Sequence, residues 1–148
     1  MADEAYRAVF LRVHPTGKMV LSLTTEADGH EDEYAHLVAS ELGVPPLDVK
    51  VVPADELRFG QGHGFNRAPS GGTPAAITSA ARKIRAKAQV LAGAALEMAP
   101  AQVKWDNGAF VSDGAARTIA DLALYAHGTR MLPPGVEGGL DAQTVYRD

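Results

Sequence analysis

With 148 residues, 46% of them hydrophobic and 22% charged, the chain has the balance of a soluble globular protein and the length of a single domain, residues 1–148. Its net charge of −4 argues against a general affinity for nucleic acid or an anionic membrane, and no apolar run approaches the roughly 20 residues needed to cross a bilayer. The absence of cysteine excludes disulfides, thiolate metal sites, iron–sulfur ligation and a cysteine nucleophile.

The N-terminal Met-Ala-Asp-Glu-Ala-Tyr-Arg is charged and lacks an apolar signal core, so a cytoplasmic location is expected. Its ordinary start, Met1-Ala2-Asp3, suits either a short gene product or a piece of a longer one. Ala8 to Val13 and Met19 to Leu23 read as strands of a hairpin around His14-Pro15-Thr16-Gly17-Lys18. A helix follows. Asp28 with Glu31 three residues on fits a capping box, and Tyr34, Leu37, Val38 and Leu42 form one apolar stripe. Gly43 stops this helix, Pro45-Pro46 prevents its resumption, and Asp48 to Pro53 reads as a strand.

Arg58 to Gly72 is interrupted by five glycines and Pro69 and reads as a loop of unusual length, a kind that is functional or disordered. The longest helix is expected to begin at Thr73-Pro74, with Thr73 as N-cap, and to run to about Ala99 with an alanine-rich stripe. Arg82, Lys83, Arg85 and Lys87 cluster in its middle with no acid among them. That run suits a solvated face, or a contact surface for an acidic partner. Gln102 to Trp105 and Ala109 to Val111 flank the hairpin signal Asp106-Asn107-Gly108. Thr118 and Asp121 suggest a cap for a helix from Ile119 to about His127, ending at Gly128. Leu132 to Gly139 is a connector, and Asp141 to Tyr146 a last strand. The elements add up to an α+β fold with mixed β-sheets and about three helices.

Several segments together resemble one family. Arg12-Val13-His14-Pro15-Thr16-Gly17-Lys18, Gly29-His30-Glu31 with Tyr34-Ala35, Glu41-Leu42-Gly43-Val44-Pro45-Pro46, Ala80 to Ala88, and Leu132-Pro133-Pro134-Gly135-Val136-Glu137 occur in the order found in the molybdopterin-binding large subunit of molybdenum hydroxylases. This is the carbon monoxide dehydrogenase, xanthine dehydrogenase and aldehyde oxidase family of oxidoreductases. The resemblance implies a fold like part of the molybdenum-cofactor-binding domain. It also implies a molybdopterin cofactor, often the cytosine dinucleotide in that family, and work beside flavin and iron–sulfur subunits. The family's subunit is several times longer, and its catalytic glutamate belongs to segments absent here.

Two family motifs are altered. Where the family has Gly-Gln-Gly-His-Glu, this chain has Ala27-Asp28-Gly29-His30-Glu31, so a carboxylate replaces a neutral amide donor. Two like charges at roughly 4 Å repel by about 4 kcal/mol at an effective dielectric near 20. Where the family has a Gly-Thr-Tyr-Gly-Ser-Arg-Ser type loop, this chain has Gly62-His63-Gly64-Phe65-Asn66-Arg67-Ala68, keeping Gly62 and Arg67 but losing the hydroxyls. Gly29, Gly62, Arg67, Gly72 and Thr73 are therefore the candidate cofactor-binding residues. Gly72 and Thr73 enter because they open a helix, whose free amides attract anions. The bland readings are a helix cap for Asp28, a solvated charge for Arg67 and a flexible connection for Gly72-Thr73. The five histidines show no metal-ligand spacing, and no metal site is expected.

Three functions are compatible with this sequence. The chain is a partial or split molybdopterin-binding subunit with degenerate cofactor motifs. Or it is a free-standing, cofactor-free descendant serving as a homo-oligomeric scaffold or small-molecule binder. Or the 58–72 loop carries new acid–base chemistry, with His63 paired to Asp28 or Glu31 as catalytic groups.

Overall fold

Gly17 adopts φ +91°, which lets the His14 amide donate to the Lys18 carbonyl (2.8 Å) and closes the first turn. Strands β1 (Ala8–Val13) and β2 (Met19–Leu23) pair antiparallel from there, Val13 opposite Met19 and Val9 opposite Leu23. The computed structural model describes residues 7–60, 67–128 and 132–147. Strand β3 (Val49–Val52) adds to β2 in parallel, and β7 (Leu140–Val145) adds to the free side of β1 antiparallel, giving the order β3-β2-β1-β7. Period-two alternation puts Val9, Leu11, Val13, Met19, Leu21 and Leu23 in the core. Phe10, Arg12, Val20 and Ser22 fall on the other face.

Helices cover the core face. Helix α1 (Glu31–Leu42) buries Tyr34, Ala35, Val38, Ala39 and Leu42 and stops at Gly43, whose left-handed φ of 64° carries its N–H to the Ala39 carbonyl. The predicted Asp28 cap is not formed. His30 is the N-cap, and Asp28 sits two residues upstream in a left-handed turn at φ 51°. The Glu31 half of the predicted box does form, with its carboxylate accepting from the Gly29 amide at 3.1 Å.

A single turn, α2 (Glu56–Phe59), follows β3 and occupies the start of the expected loop. Helix α3 (Thr73–Ala95) presents buried Ala76, Ala80, Ala81, Ala88 and Ala92 among Ile77, Ile84 and Leu91, small residues that let the helix lie close to its neighbours. Its N-cap is Gly72, not Thr73, which is already helical. It also ends four residues before the predicted Ala99. Leu96 caps it, Glu97 turns left-handed (φ 57°), and the Met98 amide returns to the Gly93 carbonyl at 2.8 Å. Gly93 permits this reversal, because a Cβ there would meet the Pro100 nitrogen at 3.0 Å.

Three of the four residues of the basic run on α3 find partners within the chain. Arg82 and Arg85 both pair with Glu41 of α1 (3.2 and 3.4 Å), and the Lys83 ammonium donates to the Gln143 carbonyl of β7 (2.9 Å). The second sheet is β4 (Lys104–Asp106), β5 (Ala109–Ser112) and β6 (Ala115–Thr118), joined by tight turns at Asn107-Gly108 and Asp113-Gly114, all four residues at positive φ. Trp105 lies opposite Phe110 with ring centres 5.0 Å apart, and the Arg85 guanidinium stands 5.5 Å from the Trp105 ring. Thr118 and Asp121 form the reciprocal box that opens α4 (Ile119–Gly128), each side chain accepting from the other's amide (2.9 and 3.1 Å). Among the described residues no helix is long and apolar enough to cross a membrane.

Candidate functional site

Since β1 runs against both neighbours and β3 runs with β2, the carboxyl ends of β2, β3 and β7 lie at one end of the larger sheet. The chain leaves β2 there to start α1, and it leaves β3 there through α2. Helix α3 starts there as well, because its Thr73 hydroxyl lies 2.7 Å from the hydroxyl of Tyr146, which follows β7. Two long helices thus begin at the same end, the arrangement whose free amides and dipoles draw anions.

The α1 entrance is acidic. Asp28, Glu31, Asp32 and Glu33 crowd its first turn and the approach to it, and all four are exposed. Gly29 (φ +85°) faces open space, with nothing within 4 Å of a Cβ built on it, but its N–H is occupied by Glu31. His30 pairs with Glu33 (2.7 Å) and stacks on Tyr34. Tyr34, only 6% exposed, lies beneath this group. Burial raises its pKa above the ordinary phenol value, and the charges of Glu33, Tyr146, Asp28 and Glu31 add to the shift. Tyr34 therefore lies within electrostatic reach of both the α1 entrance and the Tyr146–Thr73 pair at the start of α3.

On the β3 side, the Glu26 amide donates to the Arg67 carbonyl (2.7 Å), and the Arg67 guanidinium is held by Glu26 (3.0 Å) and by Glu56. Arg67 is half exposed, yet two carboxylates already answer its charge. Thr25, 1% exposed, has a hydroxyl with no hydrogen-bond partner among the described residues.

Of the sequence candidates, Asp28, Gly29 and Glu31 meet in one turn, Gly72 and Thr73 open α3 at the same end of the sheet, and Arg67 sits in its carboxylate clamp. Gly62 and His63 lie outside the described residues, and with them the suggested pairing of His63 with Asp28 or Glu31. Sequence reasoning missed Tyr34 as anything beyond an apolar-stripe residue. It also missed Tyr146, Thr25 and the Glu26–Arg67–Glu56 clamp. The position of Tyr34 four residues into an acidic helix start was the one available signal. Among the described residues no group of three or more histidine, aspartate or glutamate side chains is placed to hold a metal ion.

Residues 2–148 match the family described as the molybdopterin cofactor-binding domain. The carbon monoxide dehydrogenase large chains of Afipia carboxidovorans and Hydrogenophaga pseudoflava are each 35% identical to this chain over 144 residues, 92% of its length. The solved structure of the reconstituted CO dehydrogenase from Oligotropha carboxidovorans superimposes with a TM-score of 0.81 at 31% identity, over 97% of this chain and 18% of that one. The chain spans 17% of the length of the two curated relatives. With the family matched over nearly every residue and the same helix-on-sheet arrangement, the chain belongs to the molybdopterin cofactor-binding domain family.

Proposed function

We propose that this chain is a partial or split molybdopterin-binding subunit of a molybdenum hydroxylase, one that supplies architecture around the cofactor while its own grip on it has degenerated. The observation that carries the membership is a superposition covering almost all of this chain but under a fifth of its solved relative. The donor set at the shared helix starts supports the second half. A pterin pyrophosphate needs neutral donors and bare backbone. Bare backbone is present at Gly29, and the buried Thr25 hydroxyl is unpartnered among the described residues. The Gly29 amide, however, is spent on Glu31, four carboxylates ring the entrance, and Arg67 is neutralised by Glu26 and Glu56. These residues do not fit an anionic dinucleotide, and no chemical step is assigned to them. The family's flavin and iron–sulfur subunits are the expected companions.

Two preparations test this. A tagged chain recovered from its own host is expected to bring down polypeptides with the visible absorption of flavin and iron–sulfur centres. Recovery of the chain alone would refute the subunit reading. The chain produced by itself and supplied with mature cofactor is expected to retain no stoichiometric molybdenum or pterin by elemental and fluorescence analysis. Equimolar retention of both would refute the lost grip.

A further inference from the structure

Both hairpins of the smaller sheet turn on an acid, or its amide, followed by glycine. Asn107-Gly108 joins Asp106 to Ala109 at φ 41° and 110°, and Asp113-Gly114 joins Ser112 to Ala115 at φ 46° and 79°. Asn107 and Asp113 are both exposed. The surroundings of the two glycines differ. Gly108 lies against the backbone of Gly43, where α1 ends. A Cβ on Gly43 would stand 2.4 Å from the Gly108 nitrogen, and a Cβ on Gly108 would meet the Gly43 carbonyl oxygen at 2.6 Å. A Cβ on Gly114 would meet nothing within 4 Å.

An Asn-Gly pair carries its own reaction, because glycine has no side chain to shield its nitrogen. The Gly108 nitrogen gives its proton to hydroxide and attacks Cγ of Asn107. The new N–Cγ bond closes a cyclic imide, the Cγ–Nδ2 bond breaks, and ammonia leaves with a proton taken from water. Water then opens the ring at either carbonyl, leaving aspartate or isoaspartate. Ring closure requires rotation about the Asn107 Cα–C bond, which swings Gly108 out of the hairpin. From the Gly43–Gly108 contact we infer that Asn107 is a spontaneous deamidation site that the fold keeps closed, the Gly43 backbone denying Gly108 that swing. Unfolding opens the site. The isoaspartate product carries one more main-chain carbon in a turn that Gly43 leaves no room to enlarge. The inference rests on this contact and is independent of the cofactor reading.

The full chain, incubated at mildly alkaline pH with and without urea, tests it. Trypsin releases residues 105–117 by cleavage after Lys104 and Arg117, and mass spectrometry of that peptide reads both turns. In urea Asn107 is expected to gain the mass of an amide-to-acid exchange. In the folded chain the same change should be at least about a hundredfold slower, since only the unfolded minority reacts. Asp113→Asn supplies a comparison within one molecule. It places Asn-Gly in the second turn of the same sheet, under the same unfolding equilibrium, with no backbone packed on it. In the folded variant that turn is expected to deamidate at least about tenfold faster than Asn107, while in urea the two rates should agree within about twofold. Deamidation of Asn107 as fast in the folded chain as in urea, or none in urea, would overturn the proposal. Equal protection of both turns in the folded variant would overturn it as well, because hairpin geometry alone would then account for the closure.

Discussion

Gly43 serves two neighbours at once. Its left-handed backbone ends α1, and its chain lies directly against the β4–β5 turn, so that a Cβ on it would stand 2.5 Å from the Gly108 Cα. Backbone on both sides leaves no soft side chain to yield. Gly43→Ala is therefore expected to cost about 2–4 kcal/mol in urea unfolding, combining the left-handed penalty with overpacking. Gly29 provides the contrast. It has a similar positive φ but open space around it, so Gly29→Ala is expected to cost only about 1 kcal/mol. Tyr34 makes a prediction of different kind. Its folded pKa lies above the unfolded value of 10.0, so the folded state holds the phenolic proton more tightly. Its contribution to stability is fully present below pH 10 and is lost as pH rises through the raised folded value. Tyr34→Phe should remove that part of the alkaline decline, which melting curves of the two proteins taken from neutral pH upward will compare.

Among the elements, α1 and α3 are held together by one carboxylate. Glu41 is 20% exposed and meets both Arg82 and Arg85, the latter also stacked on Trp105. Glu41→Ala is expected to cost about 1–2 kcal/mol, because it leaves the partly buried Arg85 without its counter-charge, whereas Arg82→Ala at an exposed position should cost under about 0.5 kcal/mol. Denaturant midpoints of the two variants will separate these outcomes. The strands and helices themselves were largely legible in the sequence. Pro15 and Gly17, Gly43, and Asn107-Gly108 mark their turns by backbone chemistry, and Thr118 with Asp121 marks a cap within four residues. Strand β6 was not legible. Ala115-Ala116-Arg117-Thr118 has weak strand character and exists as a strand because β5 offers it a free edge. The end of α3 was hidden because the alanine stripe continues past Ala95, while the reversal depends on Pro100 packing over Gly93. The candidate site was legible only as separate segments. Asp28, Gly29 and Glu31 are local, but the Arg67 clamp draws on Glu26, 41 residues away, and Thr73 finds Tyr146 across 73 residues. Periodicity carries no information over such spans.

For the molecule as a whole, the two faces of the larger sheet differ: one is buried beneath the helices, and the other carries a groove lined by Phe10, Val20 and Val52. The smaller sheet is anchored in the common core by Phe110, which is fully buried, and by Val103 just before it, with the Gly43–Gly108 backbone contact and the Arg85–Trp105 pair at its margin. Because these side chains share one core with the helices and the larger sheet, the smaller sheet is expected to unfold with them. Trp105 is the only tryptophan in the chain, and it sits on that junction. Its emission is consequently a built-in optical gauge of whether the two sheets come apart together. In a urea titration its red shift is expected to coincide with the loss of helical ellipticity, and a red shift that came clearly first would mean that the smaller sheet detaches on its own.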